Sequence, residues 1–301
     1  MPRSLLIQFV LQLVTVAHLF CFPFDAIAQN QSASTAPAFS HCFLVVDSTT
    51  FHAIEASPFL KDSFAFTSTI TSSVNAGKQT YSGLYLFGRQ TYLEIFIQDK
   101  KQPLGACGIG FQVERPGALQ SLSDSLHKQF NFSFSPRTRK GSDGLEYIYA
   151  YKSDIYGNEQ DTGQLFSSWI MEFDTTYMKS RFSQKHPNDI TRETFQQRRY
   201  KKDLYVKDVT KITVHLPRKD EQYFVNIAKA LGYNIRRRRS STLVSNNDFT
   251  MVIMRATNKN KGIGKIEVRL NKPKTRQTKY LFGNAILQFK DNEATWLFNY
   301  R

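Results

Sequence analysis

The sequence predicts an α+β protein made of two successive β-α-β-β-β repeats and a third, basic α/β unit. Three observations favour this fold class. The 301 residues include 25 Phe and 14 Tyr, and aromatic residues are enriched in strands. A series of predicted elements at residues 39–97 recurs in the same order at residues 108–173, which is typical of two halves related by a pseudo-twofold axis. The net charge of +15 is concentrated in the last third of the chain.

Residues 1–28 have the features of a secretory signal peptide. Arg3 supplies the positive start, residues 5–22 are mainly apolar, and residues 26–28 (AIA) form a small-x-small cleavage site. An uncleaved membrane anchor is the alternative, but polar residues interrupt the apolar stretch, and no other segment has the roughly 18 apolar residues of a spanning helix. We therefore expect an exported protein, periplasmic or secreted, with no transmembrane span after cleavage.

A polar leader at residues 29–38, expected to be disordered, precedes the first repeat. The predicted elements of this repeat are a strand, a helix and three strands, at residues 41–47, 50–64, 65–73, 83–87 and 91–97. Pro58 should break or kink the helix, because proline removes a backbone hydrogen bond. The last two strands form a hairpin around residues 88–90.

The second repeat follows the same order of elements. A strand, a helix and three strands are predicted at residues 108–114, 116–130, 131–136, 145–151 and 167–173. The opening tract HCFLVVD aligns with GIGFQVE, and TYLEIF aligns with the tract ending WIMEF. The two repeats together define a predicted domain at residues 39–175.

The last third of the chain is strongly basic. Residues 198–301 hold 24 Lys and Arg against 8 Asp and Glu, whereas residues 1–197 hold 16 against 17. We expect a charged connection at residues 176–204 and a basic α/β unit at residues 205–301. This unit should contain a strand, a helix that ends at Gly232, and four further strands, at residues 211–216, 220–231, 249–256, 263–270, 280–289 and 295–299.

The two repeats resemble the vicinal-oxygen-chelate superfamily, the glyoxalase-like fold, in which each β-α-β-β-β unit closes a half-barrel. The resemblance covers residues 39–175. The tracts IEASPFLKDSFAF, GLYLFGRQTYLEIF, GIGFQVERPGAL and SSWIMEF are similar to those of a family of uncharacterised exported bacterial proteins with this fold. The resemblance implies a small-molecule ligand. It also implies a divalent metal held by His on the first strand and Glu on the last strand of each unit.

By this resemblance the metal ligands are His41, Glu94 and Glu172, and either glutamate could serve as a catalytic base. One imidazole and two carboxylates suit Mn, Fe, Ni or Zn, and the reaction classes implied are lyase, isomerase and dioxygenase. The position that matches His41 in the second unit is Gly108, so a degenerate pocket without metal is the alternative. The predicted walls of the pocket are Tyr85, Tyr92 and Trp169.

Two cysteines, Cys42 and Cys107, remain after removal of the signal peptide. When Asp47 is aligned with Glu114, both cysteines point away from the face that carries His41. The resemblance places the two opening strands near each other and so implies a Cys42–Cys107 disulfide. Two buried thiols are the alternative.

Three basic clusters, at residues 198–202, 236–239 and 272–276, suggest a second function. In an exported protein we do not expect nucleic acid as the partner, and an envelope polyanion such as anionic lipid or acidic polysaccharide is the better candidate. The alternative to the small-molecule hypothesis is thus a non-catalytic envelope-interaction protein, while an ordinary solvated basic surface would have no partner. The predicted polyanion contacts are Arg198, Arg199, Arg236, Arg237, Arg238 and Arg239.

Overall fold

The computed structural model describes residues 36–74, 79–140, 144–157, 164–182 and 190–300. The predicted signal peptide and residues 29–35 of the leader lie outside the described residues. Within the described residues the chain forms two mixed sheets, with helices that connect their strands. None of the helices in this part of the chain is long and apolar enough to cross a membrane.

The first module has a strand, a helix and three strands. These are β1 (Ala38–Val46), α1 (Ser48–Glu55), β2 (Phe66–Val74), β3 (Gln79–Phe87) and β4 (Tyr92–Ile97). Asp47 caps α1, because its carboxylate accepts hydrogen bonds from the Thr50 backbone amide at 2.8 Å and from the Thr50 hydroxyl at 2.7 Å. The predicted helix at 50–64 is interrupted before Pro58, and a π-helical turn at Leu60–Phe64 follows.

The second module repeats this order. Its elements are β5 (Cys107–Gln112), α2 (Ala118–Phe130), β6 (Ser135–Lys140), β7 (Glu146–Tyr156) and β8 (Phe166–Phe173). The two modules form one sheet in the order β2-β3-β4-β1-β5-β8-β7-β6. Strand β1 is parallel to β4, and β5 is parallel to β8, while β1 and β5 meet antiparallel at the centre. This symmetric order confirms the α+β class and the paired β-α-β-β-β repeats.

Two short helices lie in the connection to the second sheet, α3 (Thr175–Arg181) and α4 (Arg192–Gln196). We call residues 175–182 and 190–200 the strap. The strap packs on the first sheet, where the ring of Phe195 stacks on Phe173 with centroids 4.1 Å apart.

The second sheet begins with a third copy of the same module. This module consists of β9 (Val206–Leu216), α5 (Arg218–Ala230), β10 (Asn234–Arg237), β11 (Ser241–Ser245) and β12 (Thr250–Arg255). Two further strands complete the sheet, β13 (Gly262–Phe282) and β14 (Ala285–Phe298). The order is β10-β11-β12-β9-β13-β14, with β9 parallel to β12 and antiparallel to β13. Strand β13 thus pairs with β9 as β5 pairs with β1, so the hairpin β13–β14 occupies the position that the first strand of a fourth module would have.

One face of each sheet contributes to a shared core. Leu44 and Ile109 of the first sheet belong to the same buried cluster as Ile212, Met251 and Trp296 of the second. The turn between β13 and β14 also reaches the first module, because the backbone amide of Asn284 donates to the Thr50 hydroxyl at 2.9 Å. We call the opposite face of the first sheet the site face, and the strap packs against part of it.

Candidate functional site

Alternation along the strands assigns side chains to the site face. In β1, Cys42 and Leu44 point into the core, so His41 and Phe43 point the other way. The parallel register pairs His41 with Tyr92 and Phe43 with Glu94. Tyr85 lies opposite Glu94 on β3, and Trp169 projects from β8 close to His41. The structure thus brings together His41, Glu94 and the three predicted pocket residues.

The imidazole of His41 lies at the centre of this group. It is 5% exposed, it stacks on Tyr92 with ring centroids 4.4 Å apart, and its centroid lies 5.2 Å from that of Trp169. Its Nε2 lies 3.9 Å from Glu94 Oε1, and its Nδ1 lies 3.2 Å from the Ser40 hydroxyl. The facing residue on β5 is Gly110, where a Cβ would lie 2.4 Å from His41 Cε1. Glycine at this position therefore leaves room for the Cε1 edge of the ring against β5.

Burial fixes the protonation state of this imidazole. Desolvation, and then the positive charge of Lys152, lower the pKa of His41 to about 3. The ring is neutral near neutral pH, so its contact with Glu94 is not an ion pair, and 3.9 Å is too long for a hydrogen bond. A neutral imidazole has one donor and one acceptor nitrogen, which suits a polar ligand.

Lys152 is a member of the site that the sequence analysis missed. Its side chain is buried on β7, opposite Met171 of β8. The Nζ atom lies 3.0 Å from Asp154 Oδ1 and 4.9 Å from the centroid of the Trp169 ring. The only signal in the sequence is a lysine within the tract EYIYAYK, where the strand is otherwise aromatic and apolar.

Aromatic rings fill the part of the site face next to His41. Phe43, Phe96 and Trp169 form a small buried cluster. At Gly108, the position that the resemblance assigns to a second histidine, a Cβ would lie 2.3 Å from Phe43 Cε1 and 2.6 Å from Trp169 Cζ3. That position therefore lacks a metal ligand and is also covered by two rings.

Glu172 lies on the other face of the sheet. Its neighbours in alternation, Phe166 and Ile170, belong to the core, and its two carboxylate oxygens accept hydrogen bonds from the backbone amides of Gly117 and Leu119, each at 2.8 Å. Glu172 thus caps the start of α2 and does not meet His41 and Glu94. This corrects the predicted ligand set, in which Glu172 was a metal ligand and a catalytic base.

The remaining donors do not fit a chelated divalent metal. Among the described residues, no group of three or more His, Cys, Asp and Glu side chains is arranged to hold an ion. Of the predicted ligands, one imidazole and one carboxylate remain on the site face, fewer than the three or four protein ligands of typical zinc sites. The predicted Mn, Fe, Ni or Zn therefore has no complete set of ligands in this part of the chain, and no chemical step is assigned to a metal.

Cys42 and Cys107 are both buried free thiols, so the predicted disulfide is not formed in the structure. The register explains this, because Cys42 faces Ile109 while Cys107 faces Leu44. The two cysteines are therefore diagonal neighbours, and such pairs lie about 7–8 Å apart, beyond the usual disulfide range. Burial raises the pKa of Cys107 to about 12, which makes this thiol unreactive.

The predicted polyanion contacts occupy different environments. Arg199 is half-buried, and its guanidinium lies 5.0 Å from the ring centroid of Phe87 and 5.7 Å from that of Phe195. Arg198 lies over Phe182 on the strap. The exposed arginines at the edge of the second sheet are Arg236, Arg237, Arg238 and Arg239.

Solved structures of other proteins are similar in fold to this chain to different degrees. A hypothetical protein from Staphylococcus aureus is 11% identical, with 84% of this chain and 98% of that chain covered and a TM-score of 0.52. A catechol 2,3-dioxygenase is also 11% identical, with coverages of 85% and 89% and a TM-score of 0.41. A glyoxalase I mutant from Zea mays is 11% identical, with coverages of 73% and 68% and a TM-score of 0.31. At identities this low, structural similarity is evidence about the fold alone and gives no evidence of an activity.

No curated protein matches the chain. One family model does match, over residues 39–298, and its description is "Family of unknown function (DUF5829)". The match spans both sheets, from the second residue of β1 to the end of β14.

Proposed function

The chain belongs to this family of unknown function, and we propose that it binds a small organic molecule on the site face of its first sheet. The observation that carries the proposal is the placement of His41, Glu94 and Lys152 among aromatic rings on one face. Ionisable groups enclosed among apolar side chains cluster at functional sites. A glyoxalase-like sheet with this lining is compatible with a bound small molecule.

Each group has a distinct part in the proposed binding. The rings of Tyr92 and Trp169 form apolar walls on either side of His41. The neutral imidazole of His41 can donate or accept one hydrogen bond, and the Glu94 carboxylate can accept from a ligand hydroxyl or amine. The proposal concerns binding and assigns no reaction.

The two tryptophans of the chain allow a direct test. Trp169 is on the site face, whereas Trp296 is fully buried in the shared core. In the full chain with Trp296→Phe, Trp169 is the only indole, and it should report ligand binding when small aromatic and aliphatic compounds of each charge type are titrated. We expect saturable quenching by at least one compound, and weaker binding of that compound in the Glu94→Gln variant.

The matched control is Trp169→Phe, which keeps Trp296 as the only indole. Its fluorescence should not respond to the same compound, although ligand-detected NMR should still show binding. If no compound gives a saturable fluorescence or NMR signal with the wild-type chain up to 10 mM, the proposal is wrong. A dissociation constant above 10 mM corresponds to a binding free energy weaker than about −3 kcal/mol.

We also infer export, from the N-terminal sequence. A signal peptide that ends at Ala28 leaves Gln29 as the first residue of the mature protein. Mass spectrometry of the protein recovered outside the cytoplasm should show this N-terminus. Recovery of the intact chain with Met1, in the cytoplasmic fraction, would contradict the inference.

A second candidate function is polyanion binding by the cluster Arg236–Arg239. The observation that favours it is that all four side chains are exposed on and beside the edge strand β10. Binding to anionic vesicles or to heparin should weaken steeply between 0.05 and 0.5 M salt, about the range over which screening becomes strong. Changing all four arginines to Gln should abolish this binding. Changing the exposed Lys100 and Lys101 to Gln should leave it intact. Binding that ignores both salt and the four substitutions would exclude this function.

A further inference from the structure

We infer that the end of the β6–β7 hairpin docks on an anionic lipid surface and inserts three apolar side chains into it. These are Leu145, Tyr147 and Ile148, which we call the apolar tip. The tip lies on the outermost pair of strands of the first sheet, whereas the Arg236–Arg239 cluster lies at an edge of the second sheet. The inference therefore concerns a surface that neither proposed function uses.

The apolar tip is exposed to solvent. Leu145 is 61% exposed, Tyr147 is 44% exposed and Ile148 is 39% exposed. Among the described residues the other exposed large hydrophobic side chains are Tyr223 on α5 and Leu281 on β13, which lie on separate elements. Single apolar residues on a surface are ordinary, whereas a group at adjacent positions is typical of an interaction site.

Exposed cations flank the apolar tip on the neighbouring strand. The register of the hairpin pairs Arg139 with Tyr147 and Lys140 with Glu146, and both basic side chains are exposed. The hairpin segment at residues 135–148 holds three Lys and Arg against two Asp and Glu. The apolar tip is therefore bordered by positive charge on β6.

The strap extends this positive surface. The guanidinium of Arg139 lies 4.4 Å from the ring centroid of Tyr149, and that centroid is 6.1 Å from the centroid of Tyr177 on α3. The guanidinium of Arg181 lies 5.8 Å from the Tyr177 centroid. Helix α3 carries Arg181 and Lys179, both exposed, and no acidic residue. These contacts join the cations of the strap and of β6 in one basic surface beside the apolar tip.

Exposed apolar side chains bordered by cations suit a lipid surface. Anionic headgroups attract each nearby Lys or Arg, while the leucine and isoleucine side chains gain free energy by leaving water. Tyrosine is enriched where a membrane meets water, because its ring is apolar and its hydroxyl stays hydrated. Both contributions act together at the hairpin, since the cations and the apolar tip adjoin each other.

The composition of β6 argues against a second copy of the chain as the partner. Strand β6 lies at the edge of its sheet, and it contains Pro136 together with three cations. Proline and positive charge on an edge strand disfavour the addition of another strand. Two copies that met through this edge would also bring their basic strands together, at a cost in electrostatic repulsion.

Vesicle flotation tests the inference on the mature chain from Gln29, which contains every described residue and lacks the apolar stretch of the signal peptide. The two probes are vesicles of phosphatidylcholine alone and vesicles with about 30% phosphatidylglycerol. We expect the anionic vesicles to bind at least about tenfold more tightly, because several cations border the apolar tip and each contributes. Raising the salt concentration should weaken this preference.

Substitutions in the hairpin separate its apolar and basic contributions. The double variant Leu145→Ser with Ile148→Ser should bind anionic vesicles about tenfold more weakly or worse, since two apolar side chains no longer leave water. Leu281→Ser, at an exposed leucine on another element, is the matched control and should bind as the wild type does. Changing Arg139 and Lys140 to Gln should reduce the preference for anionic vesicles about fivefold or more.

Insertion can be measured directly with an added indole. Tyr147→Trp places a tryptophan in the apolar tip, and its emission should shift to shorter wavelength with anionic vesicles and be quenched by brominated lipid. Tyr223→Trp places an indole at an exposed position on α5 and should show neither change. The wild-type chain, which keeps the buried Trp169 and Trp296, supplies the reference spectrum.

Several outcomes overturn the inference and leave the proposed functions standing. The inference fails if the wild type binds no vesicles, if it binds both kinds equally, or if the double serine variant binds as tightly as the wild type. If changing Arg236–Arg239 to Gln abolishes vesicle binding and the hairpin variants do not, the membrane contact belongs to the second sheet. A dimer seen by sedimentation velocity without lipid, and dissociated by the double serine variant, would show that a second copy covers the apolar tip. Thermal unfolding of each variant shows whether a lost signal reflects a lost fold.

Discussion

At position 41 an imidazole lies between a tyrosine ring and an indole, in contact with a carboxylate that it does not pair with. Its neutral state follows from burial and then from the positive charge of Lys152, both of which lower the pKa of His41. The cost of protonating this ring should be measurable in the stability of the whole protein. An unfolded chain binds a proton at the ordinary His value of 6.5, but the folded chain binds it only near pH 3.

We therefore predict that His41 destabilises the fold increasingly as the pH falls from 6.5 toward 3. In this range the unfolded state holds more protons, so the free energy of unfolding decreases on acidification, by at most about 1.4 kcal/mol per pH unit for one group. Denaturant unfolding at a series of pH values should show a shallower decline for His41→Gln than for the wild type. The exposed His52→Gln is the matched control, and equal slopes for all three proteins would contradict the prediction.

The carboxylate of Glu172 should matter for stability and not for ligand binding. Glu172→Ala removes the acceptor of two backbone amides at the start of α2, so we expect the free energy of unfolding to fall by about 2 kcal/mol. The exposed Glu293→Ala should change it by less than about 0.5 kcal/mol. Loss of ligand binding in Glu172→Ala, with stability unchanged, would show that its role had been misjudged.

Strand periodicity was enough to predict that Tyr92 and Glu94 share a face, and the family resemblance grouped His41 with Glu94. The same periodicity separates Trp169 from Glu172, since residues three apart in a strand point to opposite sides. The prediction of Glu172 as a ligand followed the family pattern against this rule. Lys152 could not be predicted as a site residue, because its position beside Trp169 depends on the pairing of β7 with β8.

At the scale of the elements, the packing of rings between β1, β5 and β8 depends on glycine. Gly108→Ala would place a methyl group within 3 Å of Phe43 and Trp169, and overpacking of this kind typically costs about 1–3 kcal/mol. We expect reduced stability and an altered Trp169 emission spectrum. Adding Phe43→Leu should restore part of the lost stability by making room for the methyl group. Additive losses in the double variant would mean that the two positions do not share this space.

Most of the longer elements were predictable from apolar periodicity, and the paired β-α-β-β-β order followed from them. The predicted strand at residues 280–289 was wrong, because the turn at residues 283–284 divides it between β13 and β14. The short elements were not. The strap helices α3 and α4 are seven and five residues long, and their few apolar residues resemble a polar connection. Strand β10 was missed because its sequence, NIRR, begins a run of four arginines, and charge of this kind is typical of an exposed sheet edge.

At the scale of the whole molecule, charge alone separated the basic C-terminal region from the rest, but it gave no information about topology. The third module repeats the strand order of the first two, and its parallel pairing of β9 with β12 spans α5 and two strands. The three modules have the same order of strands and helix, although their sequences differ. No tract in the third module resembles HCFLVVD or TYLEIF closely enough to indicate a third copy.

Asp208 connects the two sheets. This carboxylate on β9 accepts hydrogen bonds from the backbone amides of Gln90 and Thr91, at 2.6 and 3.0 Å, in the turn between β3 and β4. We predict that Asp208→Ala lowers the free energy of unfolding by about 2–3 kcal/mol, because two amides lose a charged acceptor. Asp203→Ala, at an exposed position, is the control in the same denaturation experiment. A loss below about 0.5 kcal/mol for Asp208→Ala would show that the sheets are held together without it.

The turn between β13 and β14 meets the first helix across 234 positions of the chain, through Asn284 and Thr50. Contacts so distant in sequence raise the contact order, and high contact order slows folding. The cap of α1 can acquire its last partner only after almost the entire polypeptide has been synthesised. A nascent chain on the ribosome can thus form its local helices early, but the native joining of its two ends has to wait for the final strand.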